Sequence, residues 1–265
     1  MNTSTNALKY AAEHGLDKMI GLTRHGQQDG ILDAVDPQMN DPFRPDWDDL
    51  VRIHQLIRTR RATTVLEFGC GYSTQVIAHA LMLNEIEHGD YVSANLRRAN
   101  AFEIHVVDDM PAYVEITRNR ISKELASRVN FTVAPVSMTT FSGRICTEYK
   151  SIPNICPDFI YLDGPSQHSA AGNVNGISTA HSDRLPMASD ILKIEHFLLP
   201  GTFILIDGRT ANTRFLIANL QRNWVHTHDP LGDVHTLELI ERPLGRYNQL
   251  QVDFCLGRIW SEKIK

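Results

Sequence analysis

Four acidic residues stand where short apolar segments of the chain end: Glu67, Asp108, Asp163 and Asp207. The segments are 63–68, 102–108, 157–164 and 201–208. In an open parallel sheet the carboxyl ends of the strands meet at one edge, and ligands bind there. Charged groups are expensive to bury, so four acids in such places indicate a binding site. The alternative reading, that an individual acid only caps the helix that follows it, stays open for each of them.

A glycine turn follows the first of these acids, in the stretch TTVLEFGCGYST (63–74). Gly69 and Gly71 allow the backbone to turn sharply and to pass close to a ligand. A pyrophosphate-binding turn favours a third glycine and positive surroundings, but here Thr74 occupies the third position and Glu67 adds negative charge. Carboxylates accept hydrogen bonds from hydroxyl and ammonium groups. The pattern therefore favours a ligand that carries an amine and a ribose diol.

These residues resemble the class I S-adenosylmethionine-dependent methyltransferases. The matching stretches, in the order of the family, are VLEFGCGYST (65–74), VVDDMPAY (106–113), DFIYLDGP (158–165) and LLPGTFILIDG (198–208). The resemblance covers residues 50–225. The sequences of the motifs EFGCGYST and LDGP are most similar to those of bacterial small-molecule and sugar O-methyltransferase-like proteins. It implies S-adenosyl-L-methionine as the cofactor, and O-methylation of a small molecule such as a sugar or sugar nucleotide.

The resemblance also implies roles for individual residues. The loop around the methionine part of the cofactor would be Glu67, Gly69, Cys70 and Gly71, and the helix start facing its carboxylate would be Tyr72, Ser73 and Thr74. Asp108 would hold the ribose hydroxyls, and the adenine would lie near Asp109, Met110, Ala134, Pro135 and Val136. Asp163 would face the methionine end and the acceptor. The connection from the first helix to Asp108 is longer than is usual in the family. The position of the second strand is therefore assigned only to within a few residues.

The acceptor side is expected in the loops after the fourth and fifth strands. Residues 163–184 form a long stretch without clear structure, and such loops are often functional lids. His168 in this stretch is a candidate general base and His181 a second one, unless both are solvated loop histidines. After the fifth strand, Asp207, Arg209 and Asn212 form a polar set.

Arg209 could hold a carboxylate or phosphate of the acceptor in a forked contact. In the alternative reading, Asp207 caps a helix and Arg209 is a surface residue. Together with Asp163 and His168, these two are the candidate catalytic residues.

Asp163 and Asp207 also match the carboxylates that hold Mg²⁺ in catechol-type O-methyltransferases. Two carboxylates with substrate oxygens and water would suit that ion. Gly208, however, occupies the position of an asparagine ligand in that group. The sequence therefore does not favour a metal.

The alternation of strand-like and helix-like segments predicts an α/β protein, with a Rossmann-like, doubly wound, mostly parallel sheet. Strands are expected at 63–68, 102–108, 129–135, 157–162 and 201–206. One helix is expected to begin at Asp46, and further helices are expected at 73–86, 111–126, 187–198 and 213–223. Residues 87–101 are interpreted as a polar insertion. The segments 235–241 and 250–257 are expected to form an antiparallel edge hairpin.

The chain divides into a lead-in or cap segment, residues 1–46, and a cofactor-binding domain, residues 47–265. Its 265 residues carry a net charge of -5 and only small basic clusters, which argues against nucleic-acid binding. Four scattered cysteines without CxxC spacing suit a reducing compartment. No apolar stretch approaches the roughly 20 residues of a membrane span. We expect a cytoplasmic protein with a small-molecule acceptor, and association into a homo-oligomer stays open.

Two other functions remain in view. A nicotinamide-dependent oxidoreductase uses a similar sheet, although the missing third glycine and the acid before the loop count against it. A non-catalytic relative could keep the fold as a binding module. The retention of all four strand-end acids argues against that second alternative.

Overall fold

The computed structural model describes residues 5–20 and 46–257 of the chain. Its strands are β1 Thr64–Phe68, β2 Glu103–Asp108, β3 Val129–Val133, β4 Val136–Phe141, β5 Arg144–Tyr149, β6 Phe159–Leu162, β7 Phe203–Asp207, β8 Trp224–Asp229 and β9 Val234–Leu239. Its α-helices are α1 Thr5–Glu13, α2 Leu16–Ile20, α3 Trp47–Thr59, α4 Tyr72–Asn95, α5 Pro111–Arg120, α6 Lys123–Ala126, α7 Asp190–Ile194, α8 Thr210–Ile217 and α9 Gly245–Leu256.

Seven strands form the main sheet, in the order β3-β2-β1-β6-β7-β9-β8. The first five of these are parallel, whereas β9 runs antiparallel to both β7 and β8. The expected doubly wound sheet with an antiparallel edge hairpin is thus confirmed. The chain moves outward from β1 to β3 and then returns to place β6 on the other side of β1. The reversal creates a crevice beyond the carboxyl ends of β1 and β6, where such sheets bind ligands.

The two faces of the sheet are packed by different elements because successive side chains of a strand point to opposite faces. Leu66 and Phe68 face a core that includes residues of β5, α7 and α8. Val65 faces the other core, which includes residues of α3, α4 and α6. Strand β1 is buried along its whole length. It therefore lies in the interior of the protein, and its last residues reach the crevice.

Helix α3 begins where the sequence predicts. Asp46 has an extended backbone, and its side chain accepts a hydrogen bond from the Asp48 amide at 2.9 Å, which satisfies one of the free amide groups of the first turn. Ile53 and Ile57 of its apolar face are almost fully buried. The helix therefore covers the sheet beside α4.

The interpretation of residues 87–101 as an insertion is wrong for most of its length, because α4 continues to Asn95. Most of the side chains in this second half are polar and exposed. Val92 is the exception, packed with Phe102 and Phe254 in a small cluster of its own. A single buried position in more than two turns left no apolar stripe for the sequence pattern to reveal.

The hairpin of β4 and β5 is an element that the sequence reading missed. Ser142 and Gly143 form its turn, both with positive φ, as the favoured hairpin turns require. The serine–glycine pair between two hydroxyl-rich runs was the available signal. Tyr149 at the end of β5 is buried and brings its ring to 5.8 Å from that of Phe68.

The segment after β6 contains no helix or strand from 163 to 184, as expected, and it is hydrogen-bonded to this hairpin. Ala171 exchanges backbone hydrogen bonds of 2.9 Å with Val136 and Met138. Thr147 does the same with Met187 and Ser189, at 2.8 and 2.9 Å. Both ends of the stretch are therefore held against the same two strands.

The C-terminal hairpin has other members than those predicted. Its strands are β8 and β9, whereas the predicted strand 250–257 lies mainly in helix α9. Asn248, Gln251 and Val252 are buried, which is the spacing of one helix face. The alternation within 250–257 was too short to separate the two periods.

Part of the predicted lead-in segment is helical: α1 and α2 pack on α3 through Leu16, Trp47 and Leu50. Residues 1–4 and 21–45 of this segment lie outside the described residues, so the domain division stays a prediction. In the described part of the chain, no helix is both long enough and apolar enough to cross a membrane.

Candidate active site

The loop after β1 is built around a buried carboxyl group. Glu67 has no exposed surface and accepts hydrogen bonds from the hydroxyls of Ser73 at 2.5 Å and Thr74 at 2.7 Å. Burial raises its pKa to about 8, against the lowering effect of these two bonds, and the charges of Asp163 and Asp108 raise it further. Glu67 therefore ties the end of β1 to the first turn of α4.

The ends of β1 and β6 approach each other closely through two glycines. Gly69 has a φ of +93°, and a Cβ there would lie 3.0 Å from the Gly164 amide nitrogen. A Cβ on Gly164 would lie 2.6 Å from the amide nitrogen of Gly69 and 2.9 Å from the Tyr149 hydroxyl. Only glycine fits at these two positions, which keep the floor of the crevice free of side chains.

Asp108 at the end of β2 joins the glycine loop to the start of α5. Its two oxygens accept hydrogen bonds from the amides of Cys70 at 2.9 Å and Met110 at 2.7 Å. Burial raises its pKa, although these hydrogen bonds oppose the shift. A carboxylate offers about four lone-pair sites, so Asp108 keeps acceptor capacity for a ligand hydroxyl.

The other residues predicted around the cofactor border the same crevice. Gly71 donates its amide to the Thr74 hydroxyl at 3.2 Å where α4 begins. Ala134 donates its amide to the Asp108 carbonyl at 2.9 Å, which places the end of β3 beside that of β2. Most of these residues are partly accessible to solvent: Gly69, Cys70, Gly71, Tyr72, Ser73, Asp109 and Met110. Pro135 is exposed, whereas Val136 is buried. The structure brings the predicted residues together, and their roles stay predictions.

The thiol of Cys70 is an unreactive part of this loop. It accepts a hydrogen bond from the Thr117 hydroxyl at 3.6 Å. Burial and the neighbouring Asp108 charge raise its pKa. Because the thiolate is the nucleophilic form, Cys70 contributes its backbone amide rather than its sulfur.

The carboxyl groups after β6 and β7 share one electrostatic environment. Asp163 is accessible to solvent, yet the surrounding protein desolvates it enough to raise its pKa to about 6. Burial raises the pKa of Asp207 to about 7, and the charges of Asp49 and Asp163 add to the shift. Tyr161 donates its hydroxyl to Asp207 at 3.3 Å. An accessible carboxyl crowded by protein lies in a cleft, where a raised pKa suits a general base at neutral pH.

Arg209 is buried between the loops that follow β6 and β7. Its Nη2 donates to the carbonyls of Asp163 at 2.6 Å and Pro165 at 2.7 Å. Its Nη1 is buried and has no hydrogen-bond partner among the described residues, and the same holds for the hydroxyl of Tyr149. Buried polar groups are normally paired, so both atoms are available to bind a polar group of a ligand.

The remaining candidates on the acceptor side are placed as follows. His168 is exposed on the loop after Asp163, and His181 is exposed further along it, where its Nδ1 accepts the Asp183 amide at 3.1 Å. Asn212 is fully buried and binds both backbone groups of Ala188 at 2.9 Å. Asn212 therefore holds the loop in place, whereas the two histidines are at its surface.

Asp49 and Tyr149 are the residues that the sequence reading missed. Asp49 lies in the helix predicted from Asp46 onward, with no functional role predicted for it, but its charge raises the pKa of both Asp163 and Asp207. It also forms an ion pair with Arg52. Tyr149 could not be found because its hairpin was missed. No motif in the sequence links either residue to the strand ends.

The Mg²⁺ site that the sequence suggests would rest on Asp163 and Asp207. Among the described residues, no third histidine, cysteine or acid joins this pair closely enough to complete a set of ligands. Gly208 offers no side chain at the next position. The side chains around the pair therefore do not favour a metal.

Comparisons with known proteins gave structural similarity alone, since no family model and no curated protein matches the chain. The O-methyltransferase TomG from Streptomyces achromogenes, involved in tomaymycin synthesis and solved with SAM, is 15% identical with a TM-score of 0.44, over 90% of this chain and 98% of that one.

Two further solved structures show a similarity of the same order. An O-methyltransferase from Bacillus cereus, solved with SAH, is 14% identical with a TM-score of 0.41, over 91% of this chain and 93% of that one. The SAH-bound methyltransferase PaMTH1 from Podospora anserina is 15% identical with a TM-score of 0.42, over 90% and 89%. Similarity this low does not assign an activity.

Proposed function

We propose that this chain is an S-adenosylmethionine-dependent methyltransferase that methylates an oxygen of a small molecule. The observation that carries the proposal is the arrangement of side chains at the crevice beyond the carboxyl ends of β1 and β6. There, Asp108 retains free acceptor sites beside the partly accessible loop 69–73, and Asp163 and Asp207 lie across the crevice with raised pKa values. The side of the crevice with Asp108 and the loop suits a ribose diol and an amino acid group. The side with Asp163 and Asp207 suits an acceptor hydroxyl.

The cofactor would be held by the residues around the glycine loop. Asp108 accepts hydrogen bonds from the ribose hydroxyls, with Asp109, Met110 and Pro135 beside the adenine. The amides at the start of α4 face the carboxylate end, since the N-terminus of a helix favours negative charge. When bound, S-adenosylmethionine supplies a methyl group activated by its positively charged sulfur.

On the acceptor side, the residues of the chain position the hydroxyl and take its proton. Asp163 or Asp207 accepts the proton as the acceptor oxygen forms its new bond, because carboxyls with pKa values of about 6 and about 7 are partly ionised at neutral pH. The unpartnered Nη1 of Arg209 and the hydroxyl of Tyr149 can each bind a polar group of the acceptor. His168 stays a candidate base for a larger acceptor that reaches the exposed loop.

The first test is ligand-induced stabilisation. A ligand present at about 100 times its Kd adds about 2.7 kcal/mol to the free energy of unfolding, so S-adenosylmethionine and its demethylated product should both raise the Tm. NAD serves as the competing ligand. Stabilisation by NAD and not by S-adenosylmethionine would identify an oxidoreductase instead.

Asp108→Asn provides the residue-level test of the same site. Loss of a hydrogen bond to a charged group costs about 1.5–3 kcal/mol, which corresponds to affinity for S-adenosylmethionine weaker by roughly 10- to 100-fold. Asp90→Asn, an exposed acid on α4, is the control and should bind as the wild type does. Methyl transfer to a panel of sugars and phenols then separates an enzyme from a non-catalytic relative.

We also propose a cytoplasmic location, because all four cysteines are free thiols and such thiols suit a reducing compartment. Cell fractionation tests it. Association into a homo-oligomer is testable by size-exclusion chromatography with light scattering.

A further inference from the structure

Three histidines share one face of the C-terminal hairpin. His226 and His228 lie on β8 two residues apart, and His228 is paired directly with His235 of β9. The rings of His228 and His235 stack with centroids 3.9 Å apart and planes within 9°. The ring of His226 lies on His235 with centroids 5.2 Å apart. The proposed methyltransferase chemistry uses none of these side chains.

An acid from the turn of the hairpin completes this group. Ligand-type atoms of His228, Asp233 and His235 all lie within 4.8 Å of one another. Thr210 at the start of α8 links two of them, since its hydroxyl lies 3.2 Å from Asp233 Oδ1 and 2.8 Å from His235 Nε2. Side chains from β8, β9 and the turn thus converge on one place.

We propose that His228, Asp233 and His235 bind a divalent transition-metal ion of the zinc type. Two imidazoles with one carboxylate are a common set of protein ligands for such ions, with further positions left for water or another ligand. The proposal does not depend on the methyltransferase assignment, because it concerns other residues and its test measures metal binding.

The surroundings of these side chains match those of metal ligands. A metal-binding histidine usually has its second ring nitrogen hydrogen-bonded, which fixes the ring. Here His235 Nδ1 lies 3.0 Å from His226 Nε2. His235 is almost fully buried and therefore fixed in position.

Side-chain rotations are needed to close the site. At Zn–ligand distances of about 2.0–2.2 Å, tetrahedral ligands lie roughly 3.3 Å apart, compared with the separations of up to 4.8 Å in the structure. His228 and Asp233 are exposed and can rotate toward the buried His235. The rings of His228 and His235 are stacked, so their nitrogen lone pairs point in parallel directions and do not converge on one ion. His228 must therefore leave the stack to bind the same ion as His235.

The site would lie at the same edge of the sheet as the crevice. Asp207 is paired with Val234, the residue between Asp233 and His235, and the Gly208 amide donates to the Asp233 carbonyl at 2.9 Å. A bound metal would therefore fix the turn of the hairpin against α8 and the end of β7.

Isothermal titration calorimetry of the full, metal-depleted chain with Zn²⁺ tests the proposal, and the absorption spectrum of the Co²⁺ form reports the ligand geometry. We expect one ion per chain. Loss of one ligand should weaken binding at least as much as loss of an outer hydrogen-bond partner, about 10- to 100-fold. The variants are His228→Gln and Asp233→Asn, both at exposed positions.

His196→Gln, another exposed histidine, is the matched control and should bind Zn²⁺ as the wild type does. Zn²⁺ should also raise the Tm of the wild type and of this control, and should raise it less in the two ligand variants. Absence of binding, or equal affinity in the wild type and both ligand variants, would overturn the site. Equal affinity for Mg²⁺ would overturn the assignment to a transition metal.

Discussion

Glu67 shows how a single buried acid shapes the glycine loop. It has no exposed surface, and its partners are the hydroxyls of Ser73 and Thr74. With a pKa of about 8, it is largely protonated at neutral pH. Its side chain therefore positions the loop mainly as a neutral group, and Asp108 is the acid left to meet a ligand hydroxyl.

The raised pKa of Glu67 predicts how the stability of the protein depends on pH. The pKa is about 8 in the folded state, against 4.5 for the unperturbed group. Between these values the unfolded state binds fewer protons than the folded state, so the free energy of unfolding falls as the pH rises. Above about pH 8, the loss is complete and on the order of a few kcal/mol.

Glu67→Gln removes this titration and should flatten the decline. Urea unfolding at about pH 5 and about pH 8.5 measures the effect. Glu124→Gln, an exposed acid on α6, should decline with pH as the wild type does. A Glu67→Gln protein that loses stability with pH as steeply as the wild type would show that Glu67 is ionised in the fold.

Asp163 and Asp207 predict the pH dependence of the proposed methyl transfer. The base must be ionised, so kcat should fall as the pH drops through about 7 and then about 6, the pKa values of Asp207 and Asp163. Asp207→Asn should remove the step near pH 7 and lower kcat by about 10²–10⁴-fold if Asp207 is the base. Asp90→Asn is the control for the profile. An acid limb that is unchanged in Asp207→Asn would assign the base elsewhere.

The elements that sequence patterns could predict are those buried on both faces. Strands β1, β6 and β7 are continuous apolar runs, as parallel strands covered on both sides should be. For that reason, the strand-end acids were found together with the sheet. The hairpin of β4 and β5 is half-exposed and hydroxyl-rich, so its pattern is weak. Tyr149, which depends on that hairpin, was lost with it.

Electrostatic coupling between distant parts of the chain also left no pattern. Asp49 and Asp163 are 114 residues apart in sequence, yet the charge of Asp49 raises the pKa of Asp163. Nothing local to α3 indicates this, because an acid in the first turn of a helix is ordinary. The candidate cofactor residues follow directly after predicted strands, so the sequence places them together, whereas the candidate acceptor side is assembled from four separate elements.

At the scale of elements, Asn212 of α8 should be essential for the loop after β6. It binds both the amide and the carbonyl of Ala188, which are buried. Asn212→Ala leaves both groups unpaired and should reduce the free energy of unfolding by about 1–3 kcal/mol for each. Asn95→Ala removes an exposed bond to Tyr91 and should change it by less than about 0.5 kcal/mol. Equal losses in urea unfolding would contradict the anchoring role.

At the scale of the whole molecule, the N-terminal helices are part of the main body. Tyr10 of α1 places its hydroxyl 2.9 Å from His54 of α3, and His54 continues to His79 of α4 at 3.1 Å. Burial lowers the pKa of His54 to about 3, so this chain of side chains is uncharged at neutral pH. The contact joins the lead-in segment to the helices that cover the sheet.

Leu16 of α2 tests whether this packing is cooperative with the rest of the fold. It is fully buried, so Leu16→Ala should reduce the free energy of unfolding by about 2–5 kcal/mol. Leu8 of α1 is 49% exposed, and Leu8→Ala should change it by about 0.5 kcal/mol or less. A small loss at Leu16, or a separate early unfolding transition, would show that the helices are an independent appendage.

The anchoring of the segment after β6 has a consequence for how new activities could arise on this chain. Its two ends are pinned to the hairpin at Ala171 and Ala188, so the residues between them form a cassette with fixed ends. Substitutions within 172–186 would leave both anchoring bridges in place. Under the proposed function, this is the segment in which acceptor preference can change while the glycine loop on the methyl-donor side stays the same.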